Sequence, residues 1–257
     1  MSEPTVPFTF TIDGEEVSFS PGQSILQAAL SGGSYVPSLC YHPEFQPHGS
    51  CKVCTVKVNG RTAASCTTPA RAGDVVELQT EELQDLRKNL IQFLFTEGNH
   101  FCPSCEQSGD CQLQAVGYEL GVVSGHYNPL FPTRPVDASH PDVLLDLNRC
   151  ILCELCVRAS SIVDGKNVFS LSGRGITKHL VVSAESGRLA DTSLQLSDKA
   201  MSVCPVGAIL RKRHGFATPI GQRTFDKQPI SVLALHKAAA AQPTQPAGSS
   251  TEKDPSR

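Results

Sequence analysis

Eleven cysteines in 257 residues restrict what this chain can be more than any other feature. An odd number cannot all pair as disulfides. The first residues, MSEPTVPFTF, have neither the basic n-region nor the apolar h-region of a secretory signal, so a reducing cytoplasmic setting is expected. Inert buried thiols account for one or two cysteines, not for eleven at short fixed intervals. Metal ligation remains.

The first group is Cys40, Cys51, Cys54 and Cys66, spaced C-x10-C-x2-C-x11-C. Four thiolates with one tight pair suit a [2Fe–2S] cluster, two sulfurs to each iron. Gly49 and Ser50 precede the pair, and small residues there let backbone N–H groups approach the sulfurs. A structural zinc site with four thiolates satisfies the same spacing. The position of the loop, between a helix and a hairpin of a small sheet, favours the cluster.

The last group is Cys150, Cys153 and Cys156 at C-x2-C-x2-C, followed much later by Cys204 immediately before Pro205. This is the bacterial-ferredoxin pattern for a [4Fe–4S] cube. No second C-x2-C-x2-C run lies near Cys204, so Cys204 is expected to close the same cube.

The middle group has only Cys102, Cys105 and Cys111, spaced C-x2-C-x5-C. A cube with four irons takes a fourth ligand or leaves one corner open. His100 stands two residues before Cys102, and imidazole is a competent iron ligand. Eleven thiolates and one imidazole fill three four-ligand sets with none left over. A bound water or an exposed iron is the competing fourth partner.

Between these groups the chain reads as α+β. Residues 6–12 and 15–19 flank Asp13-Gly14, and 55–58 and 61–65 flank Asn59-Gly60; both dipeptides suit two-residue hairpin turns. Ser24 caps a short helix, ILQAAL, that Gly32-Gly33 stops, and 74–80 reads as a closing strand. From 81 the period changes. Leu83, Leu86, Leu90 and Leu94 form an apolar stripe between charged residues that include Arg87 and Lys88, with Thr80 as N-cap and Gly98 as the C-terminal stop. QLQAVGYELG reads as helical, 128–142 as a proline-rich extended linker, and VLLDLN, VFSLS and KHLVVSAE as short strands around helical pieces near 156–163 and 197–204. Beyond Phe225 the composition turns low in complexity, and a disordered tail is expected. The divisions are therefore 1–80, 81–140, 141–225 and the tail 226–257.

A net charge of −3 gives no reason to expect nucleic acid, and Arg211, Lys212 and Arg213 are too few to form a binding patch. No apolar run is long enough for a membrane span. No glycine-rich dinucleotide fingerprint, nucleophile triad or pair of C-x2-C motifs for nickel is present, so no catalytic residue is assigned.

The segment GNHFCPSCEQSGDCQLQAVGYELG, between the two other cysteine groups in this order, resembles the N-terminal part of the large iron–sulfur subunit of respiratory NADH dehydrogenases. It is most similar to the small diaphorase subunits of soluble NAD-reducing [NiFe] hydrogenases. The resemblance covers roughly 6–225. It implies an N-terminal β-grasp [2Fe–2S] ferredoxin-like domain, a helical [4Fe–4S] segment with one histidine and three cysteines, and a C-terminal bacterial-ferredoxin-like [4Fe–4S] domain. The implied function is electron relay between a flavin- and NAD-binding diaphorase subunit and the [NiFe] hydrogenase small subunit, and through it the large subunit. FMN, NAD and the nickel–iron site are then expected on partner chains only.

Two features separate the chain from the respiratory branch. That branch has His-x3-Cys where this chain has His100-x-Cys102, and it continues into a large molybdopterin-type domain, whereas this sequence closes at 257. Some hydrogenase relatives carry a further C-x2-C-x2-C set, which is absent here. The equivalent subunit of an NADH:quinone or formate dehydrogenase, a zinc scaffold and a free-standing ferredoxin are the alternative expectations.

Overall fold

The computed structural model describes residues 8–241; the start of the first expected strand and the residues from 242 onward lie outside the described residues. Strands β1 (Phe8–Ile12) and β2 (Glu15–Phe19) form an antiparallel hairpin. Its turn places Asp13 and Gly14 at φ 49° and 89°, the left-handed pair that a twisted two-residue turn needs. Helix α1 (Ile25–Ser31) begins with a reciprocal cap: Gln27 N–H donates to Ser24 Oγ, and Ser24 N–H donates to Gln27 Oε1.

Strands β3 (Thr55–Val58) and β4 (Arg61–Ala64) turn at Asn59 and Gly60, again both at positive φ. Strand β5 (Val75–Glu77) lies parallel to β1 and antiparallel to β3, giving one mixed sheet in the order β2-β1-β5-β3-β4. Phe10, Ile12, Val56 and Val76 pack with Ile25, Leu26, Ala28 and Ala29 of α1 to form its core.

Helix α2 (Glu81–Glu97) starts at the expected Thr80 cap, but its buried face differs from the leucine stripe. Leu83, Arg87 and Ile91 are buried, on one i, i+4, i+8 row, while Leu86 is exposed. Arg87 is only 1% exposed and donates to Leu78 O and Thr55 O, both at 2.8 Å. Two main-chain carbonyls at the sheet end draw inward a guanidinium that the stripe left on the charged side.

The helix does not end on a left-handed glycine either. Gly98 is extended, and the last carbonyls are taken by other groups: Leu130 N–H donates to Thr96 O at 3.1 Å and Arg134 Nη2 to Glu97 O at 2.9 Å. A 3-10 turn (Cys102–Ser104) and helix α3 (Gln112–Glu119) follow. The proline-rich linker is extended, as expected, except that it contributes strand β6 (Val136–Asp137) to β7 (Val143–Asp146).

After a 3-10 turn at Leu147–Arg149 comes helix α4 (Leu155–Arg158), which runs into a π-helical turn at Ala159–Val163. Strands β8 (Phe169–Ser172) and β9 (His179–Val182) pair with each other, and β10 (Ile209–Arg211) joins β7 to make the order β10-β7-β6. The helical piece expected near 197–204 is only a 3-10 turn, Lys199–Met201.

The expected disorder from 226 onward is corrected in the described residues. Helix α5 (Ile230–Ala240) forms there and packs against α1 and α3, with Ile230 buried. Pro229 precedes a run of helix formers, and tertiary packing of Ile230 overrides the low-complexity composition. Among the described residues no helix is long and apolar enough to cross a membrane.

Candidate functional site

The β3–β4 hairpin holds Cys54 and Cys66 opposite one another, because one precedes β3 and the other follows β4. Ser65 seals this end, donating from N–H and Oγ to Cys54 O at 3.2 and 2.7 Å. The loop after α1 brings Cys40 and Cys51 to the same place. Gly49 and Lys52 take φ 69° and 58°, and Cys51 N–H points at Cys40 Sγ at 3.5 Å, with Ser50 N–H beside it. Such alternating backbone makes a concavity lined by N–H groups, suited to an anionic core.

The four sulfurs compete for protons. Hydrogen bonds from Cys51, then from Cys66, hold Cys40 far below the ordinary thiol range, and Cys66 draws Cys54 down to about 7. Cys51 is pushed up first by its bond to Cys40 and then by burial; Cys66 is pushed up by Cys40 and Cys54.

The C-terminal group surrounds a small space lined by Cys150, Cys153, Cys156 and Cys204 and walled by Ile151, Leu171, Leu180 and Ile209. Leu152 and Glu154 adopt φ 52° and 63°, which winds the C-x2-C-x2-C run about that space. Backbone N–H groups of Leu152, Leu155 and Val157 face Cys150, Cys153 and Cys156 respectively, and those of Val206, Ala208 and Ile209 face Cys204. Burial raises all four thiols, Cys150 to about 11. Such thiols ionise when a metal takes the proton's place.

The middle group lies around a second small space, lined by His100, Cys102, Cys105 and Cys111 together with Phe95, Arg149 and Gly207. Burial lowers His100 to about 4, helped by the charges of Arg134 and Arg149, so the imidazole is neutral at physiological pH. Its Nε2 is buried and has no hydrogen-bond partner. The other ring nitrogen donates its N–H to the Leu94 carbonyl near the end of α2, which fixes the ring and leaves the Nε2 lone pair free. The Phe95 ring meets it edge-on, with centroids 5.5 Å apart.

Gly98 is required for this packing. A Cβ there would stand 2.6 Å from His100 Nε2 and 2.8 Å from Asn148 O. The chain beyond β10 straps the loop down: Arg223 Nη1 donates to Ser108 O at 3.1 Å, Thr224 N–H to Asp110 Oδ1 at 2.8 Å and Phe225 N–H to Gly109 O at 2.9 Å.

The structure thus brings each of the three sequence groups together, His100 included. The donors line spaces rather than converge: among the described residues no group of three or more His, Cys, Asp or Glu is arranged to hold a single metal ion. Thiols, a neutral orphaned imidazole and inward N–H groups fit an iron–sulfur core better than a lone cation.

The groups also abut one another. His48 Nε2 lies 3.4 Å from Cys153 O, and Ser50 Oγ donates to Leu152 O at 3.4 Å. Arg158 donates to Gln46 O at 2.7 Å and Cys40 O at 2.8 Å, clamping the first cysteine loop onto α4. On the other side, a Cβ on Gly207, three residues past Cys204, would stand 3.0 Å from Cys105 Sγ. The C-terminal group therefore touches both others. Sequence reasoning missed Arg87, Arg134, Arg149 and Arg158; each binds partners far along the chain, and only the position of Arg149 beside Cys150 could have singled one out. Arg211, Lys212 and Arg213 are spent on Leu196 O, Ala138 O and Asp142 within the chain.

Residues 5–81 match the family described as "2Fe-2S iron-sulfur cluster binding domain", 87–126 the "NADH-ubiquinone oxidoreductase-G iron-sulfur binding region" and 143–210 the "4Fe-4S single cluster domain". The gamma subunit of the NAD-reducing hydrogenase HoxS from Cupriavidus necator is 42% identical over 226 residues, which is 88% of this chain and 96% of that protein. The mitochondrial 78 kDa subunit of NADH-ubiquinone oxidoreductase from Candida albicans is 33% identical over 80% of this chain. The alpha subunit of a Geobacter sulfurreducens NADPH-Fe(3+) oxidoreductase is 30% identical over 81%. The chain spans only 29% and 24% of those two longer proteins. A chain in the crystal structure of an H2-reduced NAD+-reducing [NiFe]-hydrogenase superposes with a TM-score of 0.86 at 51% identity, over 90% of this chain and 98% of that one. At 42% identity over 96% of the hydrogenase subunit and 51% identity to the superposed hydrogenase chain, the chain belongs to the family of iron–sulfur gamma subunits of NAD-reducing hydrogenases.

Proposed function

We propose that this chain relays single electrons between the flavin- and NAD-binding diaphorase subunit and the [NiFe] hydrogenase small subunit of a cytoplasmic NAD-reducing hydrogenase. Cys40, Cys51, Cys54 and Cys66 hold a [2Fe–2S] cluster. His100, Cys102, Cys105 and Cys111 hold one [4Fe–4S] cluster, and Cys150, Cys153, Cys156 and Cys204 hold another. When bound, such clusters accept and release one electron at a time with little change in shape. The observation that carries the assignment is His100: a neutral, buried imidazole, its Nε2 without a partner, in the lining of a space that three thiols share.

The chain's own part is to hold, orient and exclude water. The apolar walls Ile151, Leu171, Leu180 and Ile209 keep water from the C-terminal set, which raises the energy of charge buried there, and the N–H groups aimed at Cys204 supply the compensating dipoles. The clamp of Arg158 and the packing of Gly207 support reading the C-terminal set as the intermediate station of the relay, in contact with both others.

The test is to purify the complex and count metals and flavin while measuring hydrogen-dependent NAD+ reduction. About ten irons are expected for this chain, two in one centre and four in each of the others. In Cys153→Ser, single electrons derived from NADH through the flavin of the diaphorase subunit should still reduce the first centre, while the His100 centre stays oxidised. A sulfide-free, zinc-bearing chain, or a His100 centre reduced as fast as before, would overturn the proposal.

A further inference from the structure

We infer that Arg149 is a positioning residue that raises the reduction potential of the middle centre and ties that centre to the C-terminal one. This rests on the preceding assignment of the middle set. Arg149 is part-buried, at the end of the 3-10 turn that leads into Cys150. Its Nη1 points at Cys105 Sγ at 3.4 Å and also donates to Gly207 O at 3.4 Å. One side chain thus spans from the residue before Cys150 to a sulfur of the other set, resting on the loop that follows Cys204.

Two carboxylates aim the guanidinium. Asp146 Oδ2 takes Nε at 3.0 Å, and Glu106 Oε2 takes Nη1 at 2.7 Å. Arg134, bound to Cys150 O and Glu97 O, is the other cation near His100. Glu106 and Cys105 compete for the same nitrogen, and the carboxylate holds the shorter contact. An arriving electron adds one negative charge to the iron–sulfur core and its thiolates, with no proton needed. An N–H donor and a positive charge on a ligand sulfur stabilise the reduced state more than the oxidised one, so they raise the potential. The neighbouring carboxylate does the reverse and draws the donor away.

Opposite signs follow for the two partners, which a merely structural clamp does not give. In the purified complex, redox titration followed by EPR should show Arg149→Gln lowering the middle centre's potential. Its share of an electron relative to the unchanged first centre should fall about tenfold, which is about 59 mV for one electron. Glu106→Gln should raise that share several-fold. Arg149→Lys, which keeps the charge and loses the fork, should fall between the wild type and Arg149→Gln.

The inference is overturned if Arg149→Gln keeps the centre at an unmoved potential, or if Glu106→Gln shifts it downward or not at all. Should Arg149→Gln fail to retain the centre, Glu106→Gln and Arg149→Lys decide by the same signs. A wild-type chain whose middle set carries no EPR-active centre refutes the assignment beneath it instead, and iron counting separates the two failures.

Discussion

The first and middle ligand sets solve the same problem in different ways. Cys40, Cys54 and Cys66 are 1%, 1% and 0% exposed; Cys54 and Cys66 pack in the core of the sheet and α1, while Cys40 and Cys51 pack against the C-terminal core. The middle set sits in a short loop with Cys102 and Cys105 partly exposed. Its remaining walls are borrowed: Phe95 and Gly98 from the end of α2, Arg149 and Gly207 from the C-terminal part, and the strap at 223–225. Half of the first set is written into one fold unit, whereas the middle set is assembled mostly by its neighbours. A borrowed site is open to control from the parts that lend to it, and the pull of Arg149 on Cys105 is such a handle.

The largest effect is expected where a neighbour is changed at the borrowed set. Gly98→Ala puts a methyl against the His100 ring and the Asn148 carbonyl, at 2.6 and 2.8 Å. The carbonyl is fixed, so the ring must turn away. EPR of the purified complex should show the middle centre lost or altered in most molecules, with the first centre unchanged. If both signals fall together, the independence of the first set is wrong.

Besides the Arg158 clamp, the first set depends on Arg87. Replacing it with methionine leaves the carbonyls of Leu78 and Thr55 unpaired in a buried place, and Thr55 follows Cys54 directly. Unpaired buried groups cost about 1–3 kcal/mol each. Removing the poorly solvated charge, which burial has already pulled below its ordinary pKa, offsets part of that. A net loss of about 2–3 kcal/mol is expected, using those hydrogen-bond and burial terms. Thermal unfolding should then come roughly 4–12 °C lower for a chain of this size. The first centre should survive at room temperature. Its loss there would mean that α2 is part of the N-terminal frame, not an arm resting on it.

What the sequence disclosed follows the range of each interaction. The hairpin turns at Asp13-Gly14 and Asn59-Gly60 and the caps Ser24 and Thr80 depend on neighbours within three residues, and they formed as expected. The gathering of Cys150, Cys153 and Cys156 is equally local. Arg87 was placed on the polar face because its acceptors lie 9 and 32 residues away. Gly98 read as a left-handed stop, yet its role is to make room for an imidazole and a carbonyl 50 residues on. Residues 230–240 have the composition of a tail and become a helix because α1 and α3 offer a surface to Ile230. His100 was found by counting ligands; its free nitrogen became visible only when the Leu94 carbonyl was seen to hold the other side of the ring.

The smallest expected effect tests how far the first set is insulated from its own scaffold. Ser24→Ala removes the acceptor for Gln27 N–H but leaves Gln27 Oε1 on the Ser24 backbone N–H at 2.9 Å. Half the reciprocal cap survives, so the loss should be about 0.5–1 kcal/mol, the low end for such caps. That lowers thermal unfolding by roughly 1–4 °C. Gln27 also hydrogen-bonds Tyr41, the residue after Cys40, so a loosened cap has a direct path to the ligand set. Three features oppose any transmission: Ile25 N–H remains on Thr68 O at 2.9 Å, Leu26 N–H remains on Ser65 O at 3.1 Å, and Cys40 is held at its carbonyl by Arg158. The EPR line shape and potential of the first centre should therefore stay at their wild-type values while stability falls. A shifted potential with an intact signal would show that the helix cap, through Gln27 and Tyr41, reaches the thiolates.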